Sequence, residues 1–247
     1  MPAILPLMAV NWNSPIFWAV MIGWIMSVTL HEFAHGLVAY LGGDYTIRER
    51  GLLTLNPIKY ANPMMTFILP LLFVAMGAIP MVGAATYVNT SLLRNRAWRS
   101  LTALAGPAVN LILFIVCIIP LYPSVGWLDP LGDPQNFTAT QIFCGAMAVV
   151  QLLAFFINML PIPPLDGFNV IQPYLPPNLA GRLRDPQIAI GILLLLFFLL
   201  STAEAQKILI NSMTSVMNLM HVGPDVQEFI REAYDAALFK PGPAPGQ

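Results

Sequence analysis

Charge is what this sequence has least of. Only 9% of its 247 residues are Asp, Glu, Lys or Arg, against about 25% in an ordinary soluble domain. That scarcity excludes a water-soluble globule and a disordered chain. The 11 Lys and Arg are offset by 12 Asp and Glu. No basic excess is left to neutralise a phosphate backbone, so nucleic acid is not an expected partner. Cysteine is nearly absent. Cys117 and Cys144 both fall in apolar stretches, which makes neither a disulfide framework nor a CxxC metal site. They read as small buried apolar residues. No internal repeat or low-complexity tract is present. Residues 1–14 carry no Lys or Arg and so lack the positive region of a cleaved signal peptide. The first span is expected to act as an uncleaved anchor.

What the chain has in excess is apolar residues, 57% of the total, with a mean hydropathy of +0.71. The expectation is an all-α polytopic membrane protein embedded in a lipid bilayer. Four segments are long and apolar enough to span, at 15–41, 101–120, 141–160 and 186–203. A fifth, 63–84, is broken by Pro63, Pro70, Pro80, Gly77 and Gly83 and is a poor straight helix. We expect a re-entrant or half-depth element there, since backbone at depth is tolerated when protein buries it. Its prolines and glycines could offer an extended edge to an unwound substrate. A fifth full span is the alternative, and it would set two Arg-containing loops on opposite sides.

The few basic residues orient the chain. Arg48, Arg50 and Lys59 lie in one inter-span segment, Arg94, Arg96 and Arg99 in the next, and Arg182 and Arg184 in a third. Segment 121–140 has none, only Asp129 and Asp133. By the positive-inside rule the basic loops are cytoplasmic and 121–140 is outside, in a cell membrane crossed several times. Past the last span, 207–221 is too polar to cross. Residues 225–239 place Val226, Phe229, Ile230, Ala233, Ala237 and Leu238 on one helical face, between Pro224 and Pro241. That amphipathic helix is expected either to pack on the core or to lie on the membrane surface. The expected division is a core at 1–205 and a tail at 206–247.

Of three histidines, two stand in HEFAH at 31–35. Positions i and i+4 share a helical face, so His31 and His35 can reach one metal ion while Glu32 holds a water beside it. This is the H-E-x-x-H arrangement of zinc hydrolases. It sits inside an apolar run, where ionisable groups are functional by default. A buried His–Glu cluster joining helices is the bland alternative. A catalytic zinc site has three protein ligands and an open position. Asp166, in NMLPIPPLDG at 158–167 where prolines stop the helix, is the favoured third ligand. Glu204 is a second candidate, and His221 is remote. Asp44 and Asn56 read as loop or cap residues, with a water path to the metal as the lesser reading.

Three blocks, HEFAHGLVAYLGGD at 31–44, LAGPAVN at 104–110 and NMLPIPPLDG at 158–167, together resemble the site-2 protease family of intramembrane zinc metalloproteases. LLTLNPIKYANPMMTFILPLL at 52–72 is similar to its compact bacterial branch. The resemblance implies one Zn2+ per chain held by His31, His35 and Asp166, with Glu32 as catalytic base. It implies that Asn158 positions substrate or stabilises the oxyanion. Gly106, Pro107 and Asn110 match a structural or substrate-facing motif. The expected activity is hydrolysis of peptide bonds in or near transmembrane segments of membrane protein or peptide substrates, with the site nearer the cytoplasmic side. Two departures stand out. Residues 60–63 read YANP where relatives often show HIDP. Segment 121–140 is too short for a PDZ domain, and no CBS-like module is expected after the core. A metal transporter or a zinc-dependent scaffold is the non-protease alternative. It fits less well because transport calls for polar residues on several helices at the midplane.

Overall fold

A computed structural model describes residues 10–60, 88–127, 137–200 and 202–239. The described residues are helical, with one isolated antiparallel bridge between Val10 and Phe239. The segments 63–84 and 128–136, with Asp129 and Asp133, and Pro241 lie outside the described residues.

Among the described residues, three helices are long and apolar enough to cross a bilayer. The first, α1 (Pro15–Gly42), starts where the Ser14 side chain accepts from the Ile16 amide and Pro15 fills the first turn. It stops at Gly43, whose φ of 119° is left-handed and whose missing side chain makes room for the Leu92 carbonyl. Two short helices follow, α2 (Thr46–Glu49) and α3 (Pro57–Tyr60). Then α4 (Arg96–Ile118) begins at Asn95, whose side chain accepts from the Trp98 amide, and runs into a 3-10 turn at Ile119–Leu121. Helix α5 (Ala139–Asn158) opens with a capping box between Thr138 and Gln141. The short α6 (Asp166–Ile171) and α7 (Pro177–Leu183) lead to α8 (Pro186–Leu200). A bent pair formed by α7 and most of α8 makes a fourth span if counted as one. The four apolar segments expected from sequence are therefore all helical, with ends shifted by a few residues.

Helix α5 is the most buried of the three spans. It packs against α1, α4 and the last helix, α10 (Pro224–Leu238). On α1 the inward stripe runs Phe17, Val20, Trp24, Val28, His31, His35, Ala39 and Gly42, at the three-to-four-residue spacing of one helical face. The HEFAH histidines therefore continue the core-facing stripe. Apolar side chains such as Ile22, Met26, Ile112, Val116, Leu194 and Phe198 are exposed on the outside of the bundle. In water such a surface would be a liability, whereas in a bilayer it faces lipid.

Beyond α8, α9 (Ala203–Leu219) is largely exposed, and His221 follows it with a positive φ. Helix α10 packs into the bundle. Val226, Phe229, Ile230, Ala233, Ala237 and Leu238 are all buried, the same six residues the amphipathic pattern singles out. Gly145 of α5 allows the close approach, since a Cβ there would stand 2.7 Å from that of Ala233. The Asn11 amide donates to the Leu238 carbonyl at 3.0 Å, tying the two ends of the described chain together. Of the two placements open from sequence, packing on the core is the one observed.

Candidate metal centre

The site lies where the second half of α1 meets the first half of α4 and the far end of α5. His31, Glu32 and His35 are buried at 7%, 3% and 7% exposure. Opposite them, α4 presents Thr102, Gly106 and Asn110, one helical turn apart. The His35 Nδ1–H donates to the Thr102 carbonyl at 2.6 Å. His31 Nδ1 pairs with Asn110 Oδ1, also at 2.6 Å. Pro107 has no N–H to give the Ala103 carbonyl, so this stretch of α4 is built around departures from plain helix.

Asp166 is delivered by the turn that ends α5. Gly167 lies directly against the Met159 and Leu160 carbonyls, where a Cβ would collide with backbone. That approach folds the start of α6 back onto the end of α5. The Ser100 hydroxyl donates to the Val170 carbonyl at 2.7 Å and anchors α6 to α4. Asp166 Oδ2 then sits 3.0 Å from His31 Nε2 and 3.3 Å from His35 Nε2, and the two Nε2 atoms are 3.0 Å apart. Burial alone would raise the Asp166 carboxyl pKa. Positive charge on the His35 and His31 imidazoles, when they are protonated, more than offsets this and holds it below the usual carboxylate range.

This arrangement has a specific electrostatic character. A backbone carbonyl can only accept, so His35 must carry its proton on Nδ1 and turn a lone pair inward from Nε2. With Asn110 Oδ1 facing His31, the same holds there. Two nitrogen lone pairs and a carboxylate oxygen then converge with no donor among them, which is unfavourable unless a cation or an added proton joins them. Among the described residues, His31, His35 and Asp166 are the group able to hold a metal.

The other sequence candidates are not part of the His31–His35–Asp166 cluster. Asn158 closes α5, half-buried, and its side chain makes no hydrogen bond among the described residues. Glu204 is exposed at the start of α9, and His221 is exposed after its end. Asp44 is fully buried, but as a loop anchor. It accepts from the Asn89 amide at 2.7 Å and from the Thr46 hydroxyl, with Arg50 3.6 Å away. Asn56 caps α3 through the Ile58 amide. Both take the loop-and-cap reading. Tyr60 donates its hydroxyl to the Leu52 and Thr54 carbonyls and pins the loop before α3. Residues 61–63 of the YANP departure lie outside the described residues. The sequence reading missed two participants. The Thr102 carbonyl is backbone and leaves no residue-type signal. Gln151 of α5 is fully buried and accepts from Asn110 Nδ2 at 2.8 Å; an uncharged amide inside AVVQLLAFF was the available sign.

The chain is similar in sequence to known proteins. A protein of Mycolicibacterium smegmatis is 37% identical over 190 residues, covering 76% of this chain and 69% of its own length. One from Mycobacterium tuberculosis is 39% identical over 185 residues, covering 74% and 67%. A third, from Bacillus subtilis, is 33% identical over 177 residues, covering 70% and 77%. All carry the description "Putative zinc metalloprotease", the first two as Rip2 and the third as YwhC.

The chain belongs to the site-2 protease family of zinc metalloproteases. No family model matches it, and no solved structure does. This site-2 protease is a membrane protein with zinc as its cofactor. The residues present fit that ion. Tetrahedral zinc with bonds of about 2.0–2.1 Å separates its ligand atoms by about 3.3 Å, against 3.0, 3.0 and 3.3 Å here. Gly106 is the second test. A Cβ on it would stand 2.3 and 2.4 Å from the His35 and His31 Nε2 atoms, inside van der Waals contact with both. The protease keeps that volume open by having no side chain at 106.

Proposed function

We propose that this zinc metalloprotease hydrolyses peptide bonds within or beside transmembrane segments of membrane protein substrates. The observation that carries the proposal is depth. His31 lies eleven residues from the nearer end of a 28-residue apolar helix, roughly 16 Å in at about 1.5 Å per residue. A soluble substrate has no ready path to such a site, while a segment already in the bilayer does.

In this reading His31, His35 and Asp166 hold the ion through Nε2, Nε2 and a carboxylate oxygen. A zinc ion held there supplies Lewis acidity toward a scissile carbonyl and acidifies water. Glu32 follows His31 directly and is buried within the same half of α1. It takes the proton of the attacking water and returns it to the leaving nitrogen. Asn158, at the end of α5, is assigned to the oxyanion or to substrate positioning. Residues 1–205 are assigned the chemistry, and within the tail 206–247 helix α10 packs at the opposite end of the bundle. The basic residues flanking the site end of the helices, Arg48, Arg50, Arg94, Arg96, Arg182 and Arg184, favour the cytoplasmic face of a cell membrane.

The test uses full-length protein in lipid bilayers, with a transmembrane peptide and its soluble fragment as substrates. Wild type should cleave the membrane-embedded peptide. Glu32→Gln should retain zinc and lose about 10²–10⁴-fold in rate. Cleavage confined to the soluble fragment would remove the intramembrane reading, and full activity in Glu32→Gln would remove the general base.

A further inference from the structure

We infer that Gln151 is a positioning residue for the metal centre, acting through Asn110 to fix the proton of His31. The inference rests on the reading of His31 as a zinc ligand. His35 needs no such help, because its Nδ1 faces the Thr102 carbonyl, which can only accept. His31 is different. Its Nδ1 faces Asn110, a side-chain amide that can present either its oxygen or its NH2. With the oxygen inward, Nδ1 keeps its proton and Nε2 offers a lone pair to the metal. With the NH2 inward, the proton belongs on Nε2 and the ligand is blocked.

Gln151 supplies the bias. Its Oε1 accepts from Asn110 Nδ2 at 2.8 Å, the arrangement in which Asn110 Oδ1 faces His31. The relay crosses three helices, from α5 through α4 to α1. Gln151 is fully buried, and its Nε2 makes no hydrogen bond among the described residues. Its neighbours along α5 are Val150, Leu152, Leu153 and Ala154. An apolar residue would fill this place without leaving a donor unsatisfied. Packing alone therefore does not account for an amide here, while the bond from Asn110 does. Partners of this kind behind a metal ligand set its tautomer and orientation.

The test separates acceptor from volume. Gln151→Met keeps the volume and removes the acceptor, whereas Gln151→Glu keeps the acceptor. Zinc affinity is measured by competition with a chromophoric chelator, on full-length protein in lipid, and the visible spectrum of the Co2+-substituted protein reports ligand geometry. We expect Gln151→Met to weaken zinc binding about 10–100-fold and to alter the Co2+ bands, with Gln151→Glu close to wild type. Wild-type affinity in Gln151→Met, or an equal loss in both variants, overturns the relay. Should Gln151→Met not fold, Gln151→Asn withdraws the amide by one methylene. Weaker zinc binding there supports the relay, and unchanged binding overturns it. A wild type that binds no zinc would instead remove the metal-site reading itself.

Discussion

Gly106 contributes to the proposed metal centre by what it lacks. Its Cα faces the gap between the two imidazoles, and any side chain would enter the space where their Nε2 lone pairs meet Asp166. Gly106→Ala is therefore expected to abolish stoichiometric zinc binding, measured by metal analysis of purified protein, while the helices still form. Asp166 and Glu204 separate just as sharply. Asp166 lies 3.0 and 3.3 Å from the histidine nitrogens, whereas Glu204 is exposed at the start of α9. Asp166→Ala should lose zinc, and Glu204→Ala should bind it as wild type does. Equal zinc content in the two variants would refute the ligand set. Much of this site is legible in sequence, because HEFAH and the Asp-Gly after a proline run are chemical choices of residue type. Gln151 and the Thr102 carbonyl are not, since their roles depend on which helix faces them.

At the scale of elements, the helices follow rules visible along the chain. Ser14, Asn95 and Thr138 cap the three long helices through their side chains, and Gly43 ends the first. What the pattern leaves open is docking. The apolar face of α10 suits a membrane surface as well as a core. Gly145 decides for the core by admitting Ala233 and Phe229 close to the backbone of α5. Gly145→Val should thus push α10 away and destabilise the protein by about 1–3 kcal/mol, read as a lower midpoint in thermal unfolding in detergent. Ala233→Gly in the same chain should recover part of the loss. The metal centre lies at the other end of α5, so zinc stoichiometry should be unchanged in folded Gly145→Val protein.

Across the whole molecule, two asymmetries coincide. The basic residues cluster at the end of the bundle that holds the metal centre, and the acidic face of α10, with Asp225, Glu228, Glu232 and Asp235, belongs to the opposite end. The proposed orientation puts the first end in the cytoplasm. In a chain with Cys117 and Cys144 replaced by alanine, a single cysteine at Arg48 or Arg182 should resist a membrane-impermeant thiol reagent in intact cells. One at Trp127 should react. The reverse pattern would invert the topology. Zinc supplies a second prediction at this scale. A strong chelator should abolish proteolysis, and added Zn2+ should restore it, because the three proposed ligands belong to two segments, α1 and the start of α6, that are each packed against α4.

The sequence by itself determined the solvent, the helices and the reaction class. Scarcity of charge requires a bilayer, apolar run lengths set the spans, and an H-E-x-x-H motif at depth points to zinc hydrolysis. These properties are local, written within one segment at a time. Only the tertiary structure decided how the segments meet. It brought Asp166, 135 residues beyond His31, to within 3.0 Å of it, and placed Gly106 where a side chain would fill the proposed metal position. It also set Asn110 and Gln151 behind His31 in a hydrogen-bonded row. The physical reason is that α1 is apolar on nearly every face, so periodicity alone does not say which neighbour each face receives. That choice comes from close packing at glycines and from the pairing of the few buried polar groups.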